Sequence, residues 1–370
     1  MSQTLGVGLI GYGAIGRLHA TVLQLVPQIY PTLAYRPQLR AICAGGARSH
    51  ANARRDYPAV PQMEYSAMLA DPAIDVIAIC TPTGVHAEQV SQALQAGKHV
   101  MCEKPLTVDP VISATLVELA TAHQKMLVLN HHFRRIPALA EARRQIAQGH
   151  LGTGISAHLR YFRASNVRAD RPLTWRFVGD TGGVLVDLGS HLIDLCHYLF
   201  HSPITRVQAE LRTVIAERPD VSGVLTPVTS DDVAWLTAQL ANGMRVTIEA
   251  SKMVPGAADD IRVEAYGSAG SVVFDMQDVN TLQIGTAAYP AAMQRTQIWN
   301  LQQPSASLPG AETPTGLLGW HAAAWESMLA QLAGEPCDVC DGAAGLAVDR
   351  VIVAARQSAA NGNQWCEVQI

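Results

Sequence analysis

Nowhere in the chain do about 18 apolar residues follow one another without interruption, so a membrane-spanning helix is not expected. Blocks of like charge are also missing. The 27 basic and 31 acidic residues give a formal net charge of −4, spread without a basic stripe or an acidic tail, which argues against nucleic acid or a lipid surface as partner. Cysteine is too sparse for a disulfide framework: seven residues, an odd number, lie scattered through apolar runs and read as reduced core positions. Cys337-Asp338-Val339-Cys340 has no second pair and no neighbouring histidine, so neither zinc nor any other metal is expected. The first residues, Met1-Ser2-Gln3-Thr4, enter a strand-like run without a charged segment and cleavable apolar stretch, which makes a cytoplasmic location the expectation. No internal repeat is present. What remains is a chain of 370 residues, 48% of them hydrophobic, enough for about two domains with their own cores.

The apolar run Leu5-Gly6-Val7-Gly8-Leu9-Ile10 ends in Gly11-Tyr12-Gly13-Ala14-Ile15-Gly16, and Arg17 to Leu23 follow at helical spacing. Strand, GxGxxG and helix together predict a dinucleotide site. The first glycine allows a tight turn, the second lets backbone N–H groups approach a pyrophosphate, and the third lets helix and strand pack closely. The second strand is read at Leu39–Cys43, after an inserted loop from Pro27 to Pro37 that holds three prolines. It ends in Ala44-Gly45-Gly46-Ala47-Arg48-Ser49, where an acid would otherwise bind the adenosine ribose and repel a 2′-phosphate. NAD or NADP therefore fits, with a lean to NADP that Arg48 would serve.

A buried strand at Ile74–Cys80 leads into Thr81-Pro82-Thr83-Gly84-Val85-His86, a loop at the carboxyl edge of a parallel sheet, where ligands sit. A helix capped by Gly97 precedes the strand His99-Val100-Met101-Cys102, which stops abruptly at Glu103-Lys104-Pro105. A lysine placed between a buried strand and a proline has its stem held by the sheet and its ammonium aimed at a ligand. One more helix and a strand at Met126–Leu129 complete a βα alternation that predicts a doubly wound parallel sheet over residues 1–129. Adjacent His131 and His132 point apart on a strand or loop and do not suggest a metal.

Beyond that point the pattern changes. Leu185, Leu188, Leu192, Leu195 and Leu199 recur at helical spacing, and Asp187 and His191, four apart, emerge on one face of that predicted helix. Short alternating runs at 155–162, 206–214, 233–240, 245–250, 261–266 and 271–274 predict a mostly antiparallel open sheet with helices on one face, in a second domain covering 130–370. Thr281 to Pro314 reads as loop, and helices are predicted around Trp320–Trp325 and over 342–360.

GxGxxG near the start, Thr-Pro-x-x-x-His-x-Glu at 81–88 and Ala-Gly-Lys-His-Val-x-Cys-Glu-Lys-Pro at 96–105 resemble the Gfo/Idh/MocA oxidoreductases, the glucose-fructose oxidoreductase and inositol dehydrogenase family. The resemblance covers nearly the whole chain. It implies that Lys104 lies near nicotinamide and substrate, that the Lys104–Pro105 peptide is cis, and that His191 is the candidate acid/base while Asp187 contacts substrate. Pro172-Leu173-Thr174-Trp175-Arg176 resembles a segment that approaches the cofactor and the pocket mouth in sugar-oxidising members. The expected catalytic set is Lys104, Asp187 and His191. Cofactor contacts are expected from Gly11, Tyr12, Gly13, Ala14, Ile15, Gly16, Arg48, Thr81, Pro82, His86, Glu103, Lys104 and Arg176. Substrate contacts are expected from Lys104, Trp175, Asp187, His191 and His321.

The expected reaction is hydride transfer between NAD(P) and a secondary alcohol of a sugar, anhydrosugar or inositol. The alternatives are reduction of a ketosugar or dihydrodiol-type substrate, or a dinucleotide-sensing regulator on the same fold. An uncharged ring is expected, with an anionic sugar the alternative if Arg163 and Arg176 both face the substrate. A homodimer or homotetramer through the C-terminal sheet completes the reading.

Overall fold

A computed structural model of the chain describes residues 2–288, 292–298 and 316–369. The chain divides into two compact units: Met1–Thr107, Val111–Arg135 and Trp299–Leu346 form one, and Val108–Pro110, Ile136–Ile298 and Ala347–Ile370 the other. Compared with the expected division after residue 129, the first unit also takes 130–135 and a segment from the C-terminal part of the chain.

The first unit is a five-stranded parallel sheet. Its elements are β1 (Gln3–Ile10), α1 (Ala14–Ile29), β2 (Tyr35–Cys43), α2 (Ala47–Asp56), α3 (Tyr65–Ala70), β3 (Val76–Ile79), α4 (His86–Gln95), β4 (His99–Cys102), α5 (Pro110–Ala122) and β5 (Leu127–Leu129), with strand order β2-β1-β3-β4-β5. All four residues of β3 are buried, which is why it reads as a continuous apolar run rather than an alternation. The proline-rich insertion expected from Pro27 to Pro37 is a loop only over residues 30–34. Pro27 sits inside α1, near its end, where Val22, Leu23 and Val26 are buried and hold the helix against the loss of one backbone donor. Pro37 lies within β2, an edge strand, where a missing N–H is tolerated.

The second unit carries α6 (Pro137–Ala147), β6 (Gly154–Phe162), α7 (Ser190–Phe200), β7 (Ile204–Arg212), the hairpin β8 (Glu217–Pro219) and β9 (Leu225–Pro227), β10 (Val233–Leu240), β11 (Arg245–Ser251), β12 (Asp260–Gly267), β13 (Gly270–Asp275), β14 (Thr281–Thr286) and β15 (Ala292–Gln297). Nine strands form one sheet in the order β15-β14-β13-β12-β6-β11-β10-β7-β16, where β16 is Cys366–Glu367. Only the β11–β6 pairing is parallel. α6 packs against α7 and the β13–β14 region, and α7 against β6, so these helices cover one face as the alternation predicts.

Two expectations fail here. Residues 281–286 and 292–297 are strands rather than loop; β15 is a polar, exposed edge strand, and β14 lies between it and β13, so pairing supplies what composition does not. The rest of the predicted loop, 289–291 and 299–314, falls outside the described residues. The helix through Asp187 is not a single α-helix either. Leu185–Gly189 is a wide π turn, and α7 starts at Ser190.

Two helices follow, α8 (Leu317–Leu332) and α9 (Gly342–Ala360). Trp325, Met328 and Leu329 of α8 share a buried core with Leu23 and Val26 of α1. All seven cysteines are free; Cys102, Cys196 and Cys340 are buried, whereas Cys43, Cys80, Cys337 and Cys366 are only partly so. No helix among the described residues is long and apolar enough to cross a membrane.

The glycine turn shows how tight the first unit is. A Cβ on Gly16 would lie 1.9 Å from the Gly11 carbonyl oxygen, closer than any real contact, and α1 has no room to retreat from its buried face. Gly16→Ala is therefore expected to cost about 1–3 kcal/mol in urea unfolding and to weaken dinucleotide binding. An unchanged unfolding midpoint would show that the close approach is not required.

Candidate functional site

In the first unit the glycine turn has the shape a pyrophosphate needs. Gly11 has φ of 88°, and its N–H donates to the Cys43 carbonyl at 2.9 Å. Nothing lies within 4 Å of where a Gly13 Cβ would be. Gly13 also caps α1 without a side-chain hydrogen bond, and no acid occupies the first turn, so the helix N-terminus keeps its donors and its partial positive charge. These residues fit a dinucleotide through their backbone. Tyr12 offers only backbone here, since its ring is buried and its hydroxyl donates to Asp56 at 3.1 Å; burial, then Asp56, push the phenol up to about 12. Arg48 is exposed in the first turn of α2, after Gly45 and Gly46, which have open space above them.

The Glu103-Lys104-Pro105 turn is held on both flanks. The Lys104–Pro105 peptide is cis, as the family resemblance implies. Beyond it, buried His86 places Nδ1 3.0 Å from the Pro105 carbonyl and Nε2 3.0 Å from the Thr81 carbonyl, tying the turn to the Thr81-Pro82 loop. Burial lowers the His86 pKa, and its bonds to the two carbonyls pull in the opposite direction. On the other side Glu103 accepts from Asn130 Nδ2 at 2.6 Å and from His19 Nε2 at 2.9 Å. Burial works to raise the Glu103 pKa, but these donors outweigh it and hold the carboxyl well below the usual carboxylate range.

The indole N–H of Trp325 donates to His19 Nδ1 at 3.0 Å. An indole can only donate, so Nδ1 carries the lone pair and Nε2 the proton. Ligand atoms of His19, Glu103 and His321 lie within 4.8 Å of one another, a cluster that could suit a metal. As bonded, however, His19 has no lone pair left for one.

His321, expected to line the substrate pocket, belongs to this buried cluster. It is 1% exposed, its ring is stacked on His132 at 4.3 Å, and its Nδ1 donates to the Leu317 carbonyl at 2.9 Å. Burial pushes His321 down to about 4 and His132 well below the ordinary imidazole range. His132, which reads as unremarkable in sequence, thus supplies one wall of the cluster.

In the second unit the chemistry centres on Asp187. Gly183, with φ of 93°, lets the chain turn beneath Asp231, whose Oδ2 accepts from the Leu185 N–H at 2.7 Å and so starts the π turn. A Cβ on Gly183 would sit 2.2 Å from Asp231 Oδ1. Asp187 projects from that turn into an ion pair with the Lys252 ammonium, and Arg176 Nε lies 3.8 Å away. Arg176 also lies over the Trp175 ring, 4.2 Å from its centroid. Arg163 Nε is 3.3 Å from Asp259. Both arginines that could clamp an anion therefore have a carboxylate nearby. His191, 4% exposed in the first turn of α7, faces the Tyr161 ring edgewise at 6.3 Å.

Lys252, His19, Asn130 and Trp325 escape the sequence reading. Lys252 follows an alternating strand like any surface lysine, and its partner is 65 residues away. His19 sits three residues past Gly16 on the helix face that is buried, and a polar residue there is the one available signal.

The buried imidazoles set a pH dependence. A histidine with its folded pKa near 4 and its unfolded pKa near 6.5 binds its proton more readily unfolded, so stability is full above about pH 6.5 and is lost as pH falls towards 4. His321 alone accounts for about 2 kcal/mol of loss between pH 7 and 5. Urea unfolding of His321→Met should be correspondingly flatter over that range; a parallel pH curve would show that His321 is not neutral in the fold.

Comparison with known proteins agrees with this geometry. Residues 5–131 match the model described as oxidoreductase family, NAD-binding Rossmann fold, and residues 139–273 the model of the GFO/IDH/MocA C-terminal domain. Levoglucosan dehydrogenase of Pseudarthrobacter phenanthrenivorans is 30% identical over 302 residues, 77% of each chain. The NADP(+)-dependent scyllo-inositol 2-dehydrogenase of Bacillus subtilis is 30% identical over 225 residues, 60% of this chain and 58% of that protein. Among solved structures, levoglucosan dehydrogenase in complex with NADH and levoglucosan has a TM-score of 0.91 at 27% identity, covering 99% of this chain and 100% of the other. An oxidoreductase domain protein from Kribbella flavida also has a TM-score of 0.91, at 29% identity, and covers 100% of both. With a glycine turn built for a dinucleotide in one unit and relatives matched across both, the chain belongs to the Gfo/Idh/MocA family of NAD-binding oxidoreductases.

Proposed function

We propose that the chain is an NAD(P)-dependent dehydrogenase that oxidises a secondary alcohol on an uncharged, multiply hydroxylated ring: a sugar, an anhydrosugar or an inositol. The observation that carries the ring's character is the pairing of Asp187 with Lys252 and Arg176, and of Arg163 with Asp259. Such a set offers hydrogen bonds to hydroxyls, with Trp175 as an apolar plane, while the arginines are already matched by the chain's own carboxylates. The names of the levoglucosan and scyllo-inositol dehydrogenases support the substrate class.

A nicotinamide dinucleotide held by the Gly11–Gly16 turn and the Thr81-Pro82 loop would supply the acceptor for the hydride that leaves the carbinol carbon. The protein's part is to handle the proton and the charge. His191 in its neutral form takes the hydroxyl proton, and the Lys104 ammonium hydrogen-bonds the oxygen as negative charge builds on it. Asp187, ionised beside Lys252, accepts from a neighbouring hydroxyl and fixes which carbon reacts. The glycine turn and the Thr81-Pro82 loop hold the cofactor. Arg48 in the first turn of α2, with no acid after β2, favours NADP. A homodimer or homotetramer built on the open face of the nine-stranded sheet and a cytoplasmic location belong to the same reading.

Turnover of free sugars, anhydrosugars and inositols with NAD and NADP tests the substrate class. Activity confined to phosphorylated or carboxylated sugars would overturn it. Lys104→Ala should leave dinucleotide affinity nearly unchanged and lower kcat by about 10²-fold or more; a variant within threefold of the parent would remove Lys104 from the chemistry. Ala44→Asp should move the ratio of kcat/KM towards NAD, since a carboxylate there binds the ribose hydroxyls and repels a 2′-phosphate. If the ratio stays put, Arg48 and α2 do not read the adenosine ribose.

A further inference from the structure

We propose that His19 and Trp325 are positioning residues for Lys104, acting through the Glu103 carboxylate. The proposal deepens the reading of Lys104 as the group that meets the substrate oxygen, and rests on it.

The geometry runs in one direction. Trp325 on α8 donates to His19 Nδ1, which leaves the single imidazole proton on Nε2, aimed at Glu103 Oε1. Were the proton on Nδ1 instead, it would oppose the indole N–H at 3.0 Å, and the Nε2 lone pair, although it could take the Asn130 amide N–H at 3.2 Å, would face the nearer Glu103 carboxylate at 2.9 Å. A ring protonated at both nitrogens meets the first of those conflicts. Trp325 thereby selects the one state of His19 that donates to Glu103. Asn130 supplies the second donor, and the Glu103 N–H closes on the Ile79 carbonyl at 2.9 Å. Glu103 is thus fixed by its side chain and its backbone, and Pro105 by its carbonyl on His86. Lys104 lies between two anchored residues, so the origin of its side chain is set before any ligand arrives.

Removing the His19 donor leaves a largely buried carboxylate with one partner fewer, and it will swing towards water or take up a proton. Either change moves the backbone from which Lys104 projects. A misplacement of about 1 Å at a reacting group can cost about 10²-fold in rate.

The test uses His19→Leu, His19→Gln and Trp325→Phe in the full chain, with two readouts. The first is steady-state turnover of the alcohol together with NADH affinity by fluorescence. His19→Leu should lower kcat between about tenfold and 10²-fold while NADH affinity stays within about twofold. His19→Gln should recover most of the loss, because its amide N–H reaches the place of Nε2–H. Trp325→Phe keeps the aromatic packing and removes only the N–H, so it covers the case in which His19→Leu does not fold.

The second readout needs no turnover. The chain has four lysines, Lys98, Lys104, Lys125 and Lys252, so reductive ¹³C-methylation gives a spectrum simple enough to assign by substitution. The Lys104 signal should shift or broaden in His19→Leu and Trp325→Phe and return in His19→Gln, with Lys125 unmoved. A parent protein inactive on every sugar would sink the substrate reading but leave this second readout decisive. An unmoved Lys104 signal in both impaired variants, or a His19→Gln variant as impaired as His19→Leu, would overturn the positioning role.

Discussion

A carboxylate buried at the end of a parallel strand is costly unless donors surround it, and the first unit is arranged around that condition. Removing the charge of Glu103 from water would cost several kcal/mol without compensation. The compensation comes from three places far apart in sequence: His19 on α1, Asn130 just after β5, and Trp325 on α8, which acts on Glu103 through His19. The core that α8 shares with α1 brings the indole to His19, so packing and hydrogen bonding at this point are one requirement. That explains why a helix from the C-terminal part of the chain belongs with the nucleotide-binding sheet.

The second unit meets the same cost in other ways. Asp231 accepts from the Leu185 N–H through Oδ2, and burial raises its pKa against the opposite pull of that bond and of Arg356. Asp232, 1% exposed, accepts from Asn166 Nδ2 at 2.9 Å and from the Val214 N–H at 3.0 Å. Asp187 is handled differently: its partners are cations, Lys252 and Arg176, and it remains more exposed than Asp232. A carboxylate kept ionised, partly open and flanked by cations is suited to accept from a ligand. The π turn contributes by widening the helix where Asp187 leaves it.

The fold was legible where a short-range rule governs it. The Gly11 to Gly16 turn, the buried strands β3 and β4, the leucine spacing of α7 and the alternation of β6 and β10 all follow from periodicity or from glycine's backbone freedom. Prolines misled the reading at α1 and β2, because a buried helix face and an edge position each remove the penalty that proline normally carries. β14 and β15 were hidden for the opposite reason: nothing local marks the polar edge strand β15 or the short β14 beside it, and their identity comes from the ladder they share. The candidate site divides the same way. Residues inside motifs could be read; His19, Asn130, Trp325 and Lys252 could not, since each is defined by a partner 27 or more residues away.

The choice of donors around Glu103 carries a further consequence. An arginine or lysine in the place of His19 would satisfy the carboxylate and cancel its charge. A neutral imidazole and an amide satisfy its lone pairs and leave the charge standing, in surroundings where burial also keeps His321 and His132 neutral. The cation that the chain itself places next to it is the following residue, Lys104. A strand that ends in an acid, a base and a proline therefore fixes, through the bonds of the acid, the backbone from which Lys104 projects at the sheet's carboxyl edge.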